Sequence, residues 1–281
     1  MNSWKNKKVV STLILPSMIG ALLTGCLVGE QKQFFSTHVV CDGFGNTGGD
    51  RLHGLKANLF YFDDIDVTTH GYTGVSDFFR WGHIPDVTFY FSNLYVPTRP
   101  FSSGFVMRDG TPVTKANNDP LYEHFAFKFT GGVQLPNGAP TKNYQFAIMS
   151  DDGSKLVITR PGATPVVNVN NDGNHPSQFV VGTAPVQVSS TAIVPIELDW
   201  YQGPRYHIAL VLLWREWKAT NFNPNDPWNG QASNNLYFDS TQTPPAPMPA
   251  WNDIMTRWEV VPGNVLTINS DINGTEENPC H

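Results

Sequence analysis

The stretch YQFAIMSDDGSKLVI, Tyr144 to Ile158, decides the fold class. Tyr144, Phe146 and Ile148 alternate with Gln145, Ala147 and Met149, and Leu156 and Ile158 keep the same alternation after a gap. A period of 2 on both sides of a short break reads as two strands, each with one face buried. The break, Ser150 to Ser154, contains Asp-Gly, a strong signal for a tight hairpin turn because both residues tolerate positive φ. It also sets Asp151 and Asp152 side by side at a loop tip. One reading makes the pair a well-formed turn and nothing more. The other makes it a pair of oxygen ligands.

Similar patterns flank this stretch. Leu55 to Phe62 reads as a first strand, and Glu123 to Phe129 alternates so that Phe125, Phe127 and Phe129 share a face. Asp77 to Trp81 and Thr88 to Phe91 carry aromatic weight into the core. Gln178 to Val181, Pro185 to Val188 and Ile193 to Tyr201 are further short strands. Tyr206 to Trp214 is apolar on both faces and predicts a central strand covered on both sides. Arg257 to Val261 and Val265 to Ile268 flank Pro-Gly-Asn, which predicts a closing hairpin. No sustained period of 3.6 occurs through these strands. The expected class is all-β, an antiparallel β-sandwich or barrel with long surface loops.

Length and charge agree with one large domain. The chain has 281 residues, 18 Lys+Arg and 24 Asp+Glu, a net charge of −6. That acidity argues against a nucleic-acid partner, whose phosphates require a basic face. Residues 1–25 read as a signal peptide: Lys5, Lys7 and Lys8 precede an apolar run too short and broken for a membrane span. The run ends in Leu23-Thr24-Gly25-Cys26, which resembles the bacterial lipobox and makes Cys26 the lipidation site. Leu27, rather than Asp, follows the Cys, which implies sorting to the outer membrane and a lipid anchor there. Residues 26–52 then read as a lipidated tether and linker, with Cys41 to Asp50 a Gly-rich loop lacking the strand and helix of a phosphate cradle. Residues 53–281 are expected to form the single β-sandwich domain with a C-terminal extension. Export places Cys41 and Cys280 in an oxidising compartment, where they are expected to bridge; two unpaired thiols, or pairing to a partner, are the alternatives.

Catalysis finds little support. GxSxG, HExxH and a Cys with a His partner are all lacking, so no enzyme is expected. Asp63, Asp64 and Asp66 could hold a cation, although three acids in a solvated loop more often hold none. His70 and His83 have no spacing that links them in one metal site. Glu216 to Asn235 is long, polar and aromatic, a length at which a loop is functional or disordered. Thr243 to Pro249 is a stiff Pro-rich crossing.

From Leu55 to Trp214 the chain resembles the PA-fourteen domain family. The resemblance is carried in order by Gly54-Leu55-Lys56-Ala57, then Phe125 to Gly131, Tyr144 to Leu156 with its Ser-Asp-Asp-Gly-Ser centre, Asn171 to His175, Pro195 to Leu198, Tyr201-Gln202-Gly203 and Ala209 to Trp214. It implies a β-sandwich. In the family's lectin branch an adjacent Asp pair, joined by a cis peptide, binds calcium, and a sugar coordinates that ion. Asp151 and Asp152 occupy the matching positions. A further Asn ligand is implied in the loop after the last core strand, where Asn221, Asn223 and Asn225 are candidates beside Asp226. The same loop offers Trp217, Phe222 and Trp228, rings that either stack on a sugar or pin the loop to the sandwich. The resemblance thus implies calcium-dependent binding of a glycan or polysaccharide, in adhesion or glycan recognition. A non-catalytic module contacting an envelope protein is the alternative.

Overall fold

The alternating runs fold as strands in the computed structural model, which describes residues 38–45, 52–160, 162–204, 207–218, 226–269 and 273–280. The chain opens with β1 (Val39–Cys41), β2 (Leu55–Tyr61), α1 (Asp64–Thr69), α2 (Val75–Trp81), β3 (Thr88–Phe91) and β4 (Tyr95–Arg99). Its middle holds β5 (Phe125–Val133), β6 (Lys142–Asp151), β7 (Ser154–Ile158), β8 (Val166–Asn171), β9 (Gln178–Val181) and β10 (Val186–Val188). Next come the long β11 (Val194–Gln202) and β12 (Ile208–Glu216), then β13 (Phe238–Asp239) and β14 (Ala246–Pro247). The chain closes with α3 (Pro249–Met255), β15 (Glu259–Val260) and β16 (Leu266–Thr267).

Two sheets stack face to face. The larger has eight strands in the order β1-β3-β2-β5-β11-β7-β8, with β16 also on β5. The smaller has six, in the order β10-β6-β12-β15, with β4 on β12 and β9 on β6. The long pairs β5/β11 and β6/β12 are antiparallel, whereas β1 joins β3 in parallel. Phe125, Phe127 and Phe129 point into the space between the sheets and are fully buried. They pack with Phe89, Phe91, Phe105 and Trp200 at edge-to-face and stacked distances, the geometries aromatic quadrupoles favour.

The doubly apolar run is a doubly covered strand. Ile208, Leu210, Leu212 and Trp214 of β12 face the inter-sheet core. Ala209, Val211 and Leu213 face a second core beneath α3, Tyr237 and Trp258. A third cluster, Val75 and Phe78 of α2 with Phe62, Ala126 and Tyr201, covers part of the larger sheet's outer face. The aromatic segment Asp77 to Trp81 is therefore helical, a single amphipathic turn pair too short to register as a sustained period.

Three sequence expectations change. The two halves of the Tyr144 to Ile158 stretch do not pair as a hairpin: β6 lies in the smaller sheet on β12, and β7 lies in the larger sheet between β11 and β8. Alternation and an Asp-Gly turn report local geometry, and they cannot say which sheet each flank joins. The closing segment behaves alike, for β15 pairs with β12 and β16 with β5 across a 3₁₀ turn at Gly263–Val265. The domain also starts upstream of residue 53. Val39–Cys41 is a sheet strand, and Phe44, within the Gly-rich segment, is buried against Phe91 and Trp200. One aromatic among glycines suffices to anchor a segment that composition marks as linker.

Cys41 and Cys280 form a disulfide that closes 239 residues of chain. It joins β1 to the C-terminal segment, where Val39, Tyr90 and Ile268 pack around it. The signal peptide, Cys26 and most of the tether lie outside the described residues. Among the described residues no helix is long and apolar enough to cross a membrane.

Candidate functional site

Asp151 ends β6 and pairs with Ala209, while Ser154 opens β7 and pairs with Trp200 and Asn171. Asp152 and Gly153 thus carry the chain from one sheet to the other at the end of the sandwich. The Asp151–Asp152 peptide bond is cis. Gly153 has no room for a side chain: a Cβ would stand 2.5 Å from the Gly173 nitrogen and 2.6 Å from the Tyr201 ring.

Backbone contacts hold the corner independently of the carboxylates. The Trp200 indole N–H donates to the Asp151 carbonyl at 3.1 Å, and the Asp152 N–H donates to the Tyr201 carbonyl at 3.2 Å. The carboxylates have their own donors. Ser177 Oγ, itself 2.7 Å from Thr98 Oγ1, donates to Asp151 Oδ2 at 3.3 Å. The His175 and Gly203 amides donate to Asp152 Oδ1 at 3.1 Å and Oδ2 at 2.8 Å. Gly203 can approach so closely because it lacks a Cβ, which would sit 2.8 Å from both Asp152 Oδ2 and Tyr72 Oη.

Asp151 is 6% exposed and Asp152 9%. Burial, reinforced by the neighbouring Asp152 charge, pushes the Asp151 carboxyl up to about 8. Burial also raises Asp152, with the Gly203 and His175 amides acting in the opposite sense. Among the described residues neither carboxylate forms an ion pair. Two adjacent buried carboxyl groups without an ion-pair partner among the described residues form a hard oxygen set, the chemistry calcium selects. The residues present fit that ion: a carboxylate oxygen has more than one lone pair, so the Ser177, His175 and Gly203 donors leave acceptor capacity on both side chains.

The other candidates scatter. Asn221, Asn223, Asn225 and Phe222 lie outside the described residues. Trp217 does not stand beside the Asp pair. It follows Glu216, which pairs with Tyr144 at the far end of β12, whereas Asp151 pairs with Ala209; seven residue steps of strand separate these positions, about 23 Å. Trp228 is tied down elsewhere, packed on the second core with its indole N–H donating to Asp253 Oδ2 at 2.6 Å. Asp226 is taken up by Trp258, Arg257 and Arg215. Sequence spacing places a ring in a loop without saying at which end of a strand that loop begins.

The returning arm of the loop does reach the site. Ala232 bridges to Gln178, and Asn234 Oδ1 accepts the Ser177 N–H at 3.1 Å, one residue's reach from Asp151. Sequence spacing does not single out Ser177, Asn234 or Gly203, although Gly203 lies in the Tyr201-Gln202-Gly203 motif and Asn234 in the Glu216 to Asn235 loop. A groove of about 870 Å³ lies elsewhere, along the β4 edge beneath Ser240–Pro245, and neither Asp lines it.

No family model and no curated protein sequence matches the chain. Similar solved structures include the PA14 domain of the antifreeze protein MpAFP, 15% identical, covering 82% of this chain and 98% of that one with a TM-score of 0.47. The PA14 sugar-binding domain of an RTX adhesin is 16% identical and covers 59% and 90%, with a TM-score of 0.40. The epithelial adhesin 6 A domain of Candida glabrata, in complex with Galb1-3GlcNAc, is 13% identical and covers 76% and 98%, with a TM-score of 0.36. The chain is an all-β sandwich.

Proposed function

We propose that this chain is a carbohydrate-binding protein, exported and lipid-anchored through Cys26 at the bacterial outer membrane, that holds a glycan through calcium at Asp151 and Asp152. The observation that carries the reading is the pair itself: two adjacent carboxylates, each under one-tenth exposed, without a cationic partner among the described residues. When bound, calcium would supply coordination positions for the vicinal hydroxyls of a sugar. Asp151 and Asp152 would hold it, with a ligand from the Asn221–Asn225 run completing the set. Ser177, His175 and Gly203 orient the two carboxylates through the hydrogen bonds described above. The sugar-binding RTX adhesin domain and the glycan-bound epithelial adhesin domain accord with this reading.

The proposed role is binding without catalysis, in adhesion or glycan recognition. A Ser–His contact exists, Ser240 Oγ to His207 Nε2 at 3.1 Å. His207 Nδ1, however, has no hydrogen-bond partner among the described residues, so no acid orients the ring as a general base requires.

Thermal melting of the full-length protein in calcium and in chelator, beside Asp151→Asn, tests the metal. A ligand that binds only the folded state raises the midpoint by mass action, about 4 kcal/mol at a thousandfold excess over Kd. The expected result is a calcium-dependent rise lost in the variant, followed by calcium-dependent signals on a glycan array. Superimposable curves would leave the pair as a structural corner and direct attention to an envelope protein partner.

A further inference from the structure

We propose that Asp63, Asp66 and His83 form a second metal site, one that takes a first-row transition ion of the zinc class rather than calcium. The three residues come from the start of α1 and from the turn after α2, and one ligand atom from each lies within 4.8 Å of the others. His83 Nε2 stands 3.0 Å from Asp66 Oδ2 and 3.9 Å from Asp63 Oδ2. Bonds of about 2.0–2.2 Å at tetrahedral angles separate ligand atoms by about 3.3–3.6 Å. The two His83 spacings straddle that range, and with all three ligand atoms within 4.8 Å of one another, side-chain shifts of up to about an ångström would admit an ion.

The site is organised before any ion arrives. His83 is fixed by a pair of backbone hydrogen bonds with Tyr61, 2.8 and 2.9 Å long, and its ring lies 5.3 Å from the Tyr61 ring. The Asp63 N–H donates to Asp66 Oδ2 at 2.9 Å, which sets that carboxylate's direction. Asp63 and Asp66 form the capping box of α1, and within it Asp63 Oδ1 is buried without a close hydrogen-bond partner among the described residues while Oδ2 faces His83. Half-exposure of His83 leaves solvent positions open on the ion.

The donor set decides the metal. One imidazole and two carboxylates suit zinc, cobalt or manganese, whereas calcium takes six to eight oxygens. The ion would fasten α1, which has no buried residue of its own, to the 82–84 turn. A control comes from the same molecule. His38 and Asp86 meet at the same 3.0 Å but form no three-ligand cluster.

The test is a cobalt(II) titration of the full-length protein in saturating calcium, followed by visible absorbance, with zinc as competitor. The expected result is saturation at one equivalent, d–d bands that zinc abolishes, and at least a tenfold loss of affinity in His83→Gln and in Asp66→Asn. His38→Ala and Asp151→Asn should bind as the wild type does, which separates this site from the proposed calcium site. Absence of saturation by millimolar cobalt, or undiminished binding in folded His83→Gln, would overturn the proposal and leave the cluster an ion pair.

Discussion

Asp199→Asn should make the protein more stable at neutral pH, and the gain should vanish in acid. Asp199 lies mid-strand on β11, level with Lys128 of β5 and Lys155 of β7, and is 8% exposed. Both lysines are engaged elsewhere. Lys128 Nζ is 2.7 Å from Glu197 and 4.6 Å from the Phe79 ring centre, and Lys155 Nζ is 2.6 Å from Asp172. Asp199 is left with Lys128 at 3.5 Å. Burial dominates and pushes its carboxyl up to about 6, with Lys128 pulling the other way and the Glu197 charge adding to the rise. The folded state then binds more protons than the unfolded state between the ordinary carboxylate range and pH 6. Stability from this group is complete below about pH 4 and is lost as pH rises through about 6. A shift of about two units corresponds to about 3 kcal/mol, of which about 2 kcal/mol falls between pH 4.5 and 7.5. Urea denaturation of wild type and variant in chelator across that window measures the difference, in which every other titrating group cancels. The variant's advantage should grow by about 2 kcal/mol between pH 4.5 and 7.5, from about 1 to about 3 kcal/mol, and should disappear only below about pH 4. Parallel pH profiles would refute the claim that burial outweighs Lys128.

Gly203→Ala places a Cβ 2.8 Å from Asp152 Oδ2; it should destabilise by about 1–3 kcal/mol and weaken calcium binding, read by melting with and without the ion. Leu213→Ala empties a position in the second core and should cost about 2–5 kcal/mol in urea titrations. Reducing Cys41–Cys280, or replacing both by Ser, reopens a 239-residue loop. The chain-entropy model sets that loss at about 5 kcal/mol, visible as a lower melting midpoint. Trp217→Ala and Trp228→Ala should leave calcium-dependent melting shifts intact, because neither ring is placed against the Asp pair.

Strands were legible in this sequence wherever side chains alternate, and sheet membership was not. The Phe125, Phe127, Phe129 face and the doubly covered Ile208 to Trp214 run both follow from hydrophobic period alone. The hairpin reading of Asp151-Asp152-Gly153 failed because the same turn chemistry serves a hairpin and a crossing between sheets. What separates them is whether Asp151 pairs with Lys155 or with Ala209, a contact 58 residues away in the chain. The site was legible to the same degree. The carboxylates could be named from the motif, but Ser177 and Asn234 reach them only through the β9 register and the returning loop. Trp217 was misplaced because a 20-residue loop can begin at one end of a 9-residue strand and finish at the other.

The crossing explains how one corner can serve both the fold and a ligand. Its backbone is spent on structure: the Asp151 carbonyl receives the Trp200 indole, the Asp152 amide reaches Tyr201, and Ser150 Oγ meets Ser154 Oγ at 2.8 Å across the bend. Its two carboxylates are not needed for those contacts. They are oriented instead by Ser177, His175 and Gly203, from the β8–β9 and β11–β12 connections. Substituting the side chains should therefore separate ligand binding from folding, whereas a Cβ at Gly153 or Gly203 should disturb both. The raised Asp151 carboxyl points the same way. A buried pair of carboxylates opposes folding at neutral pH unless something neutralises it, so Asp151→Asn should be the more stable protein in chelator and the less stable one in calcium.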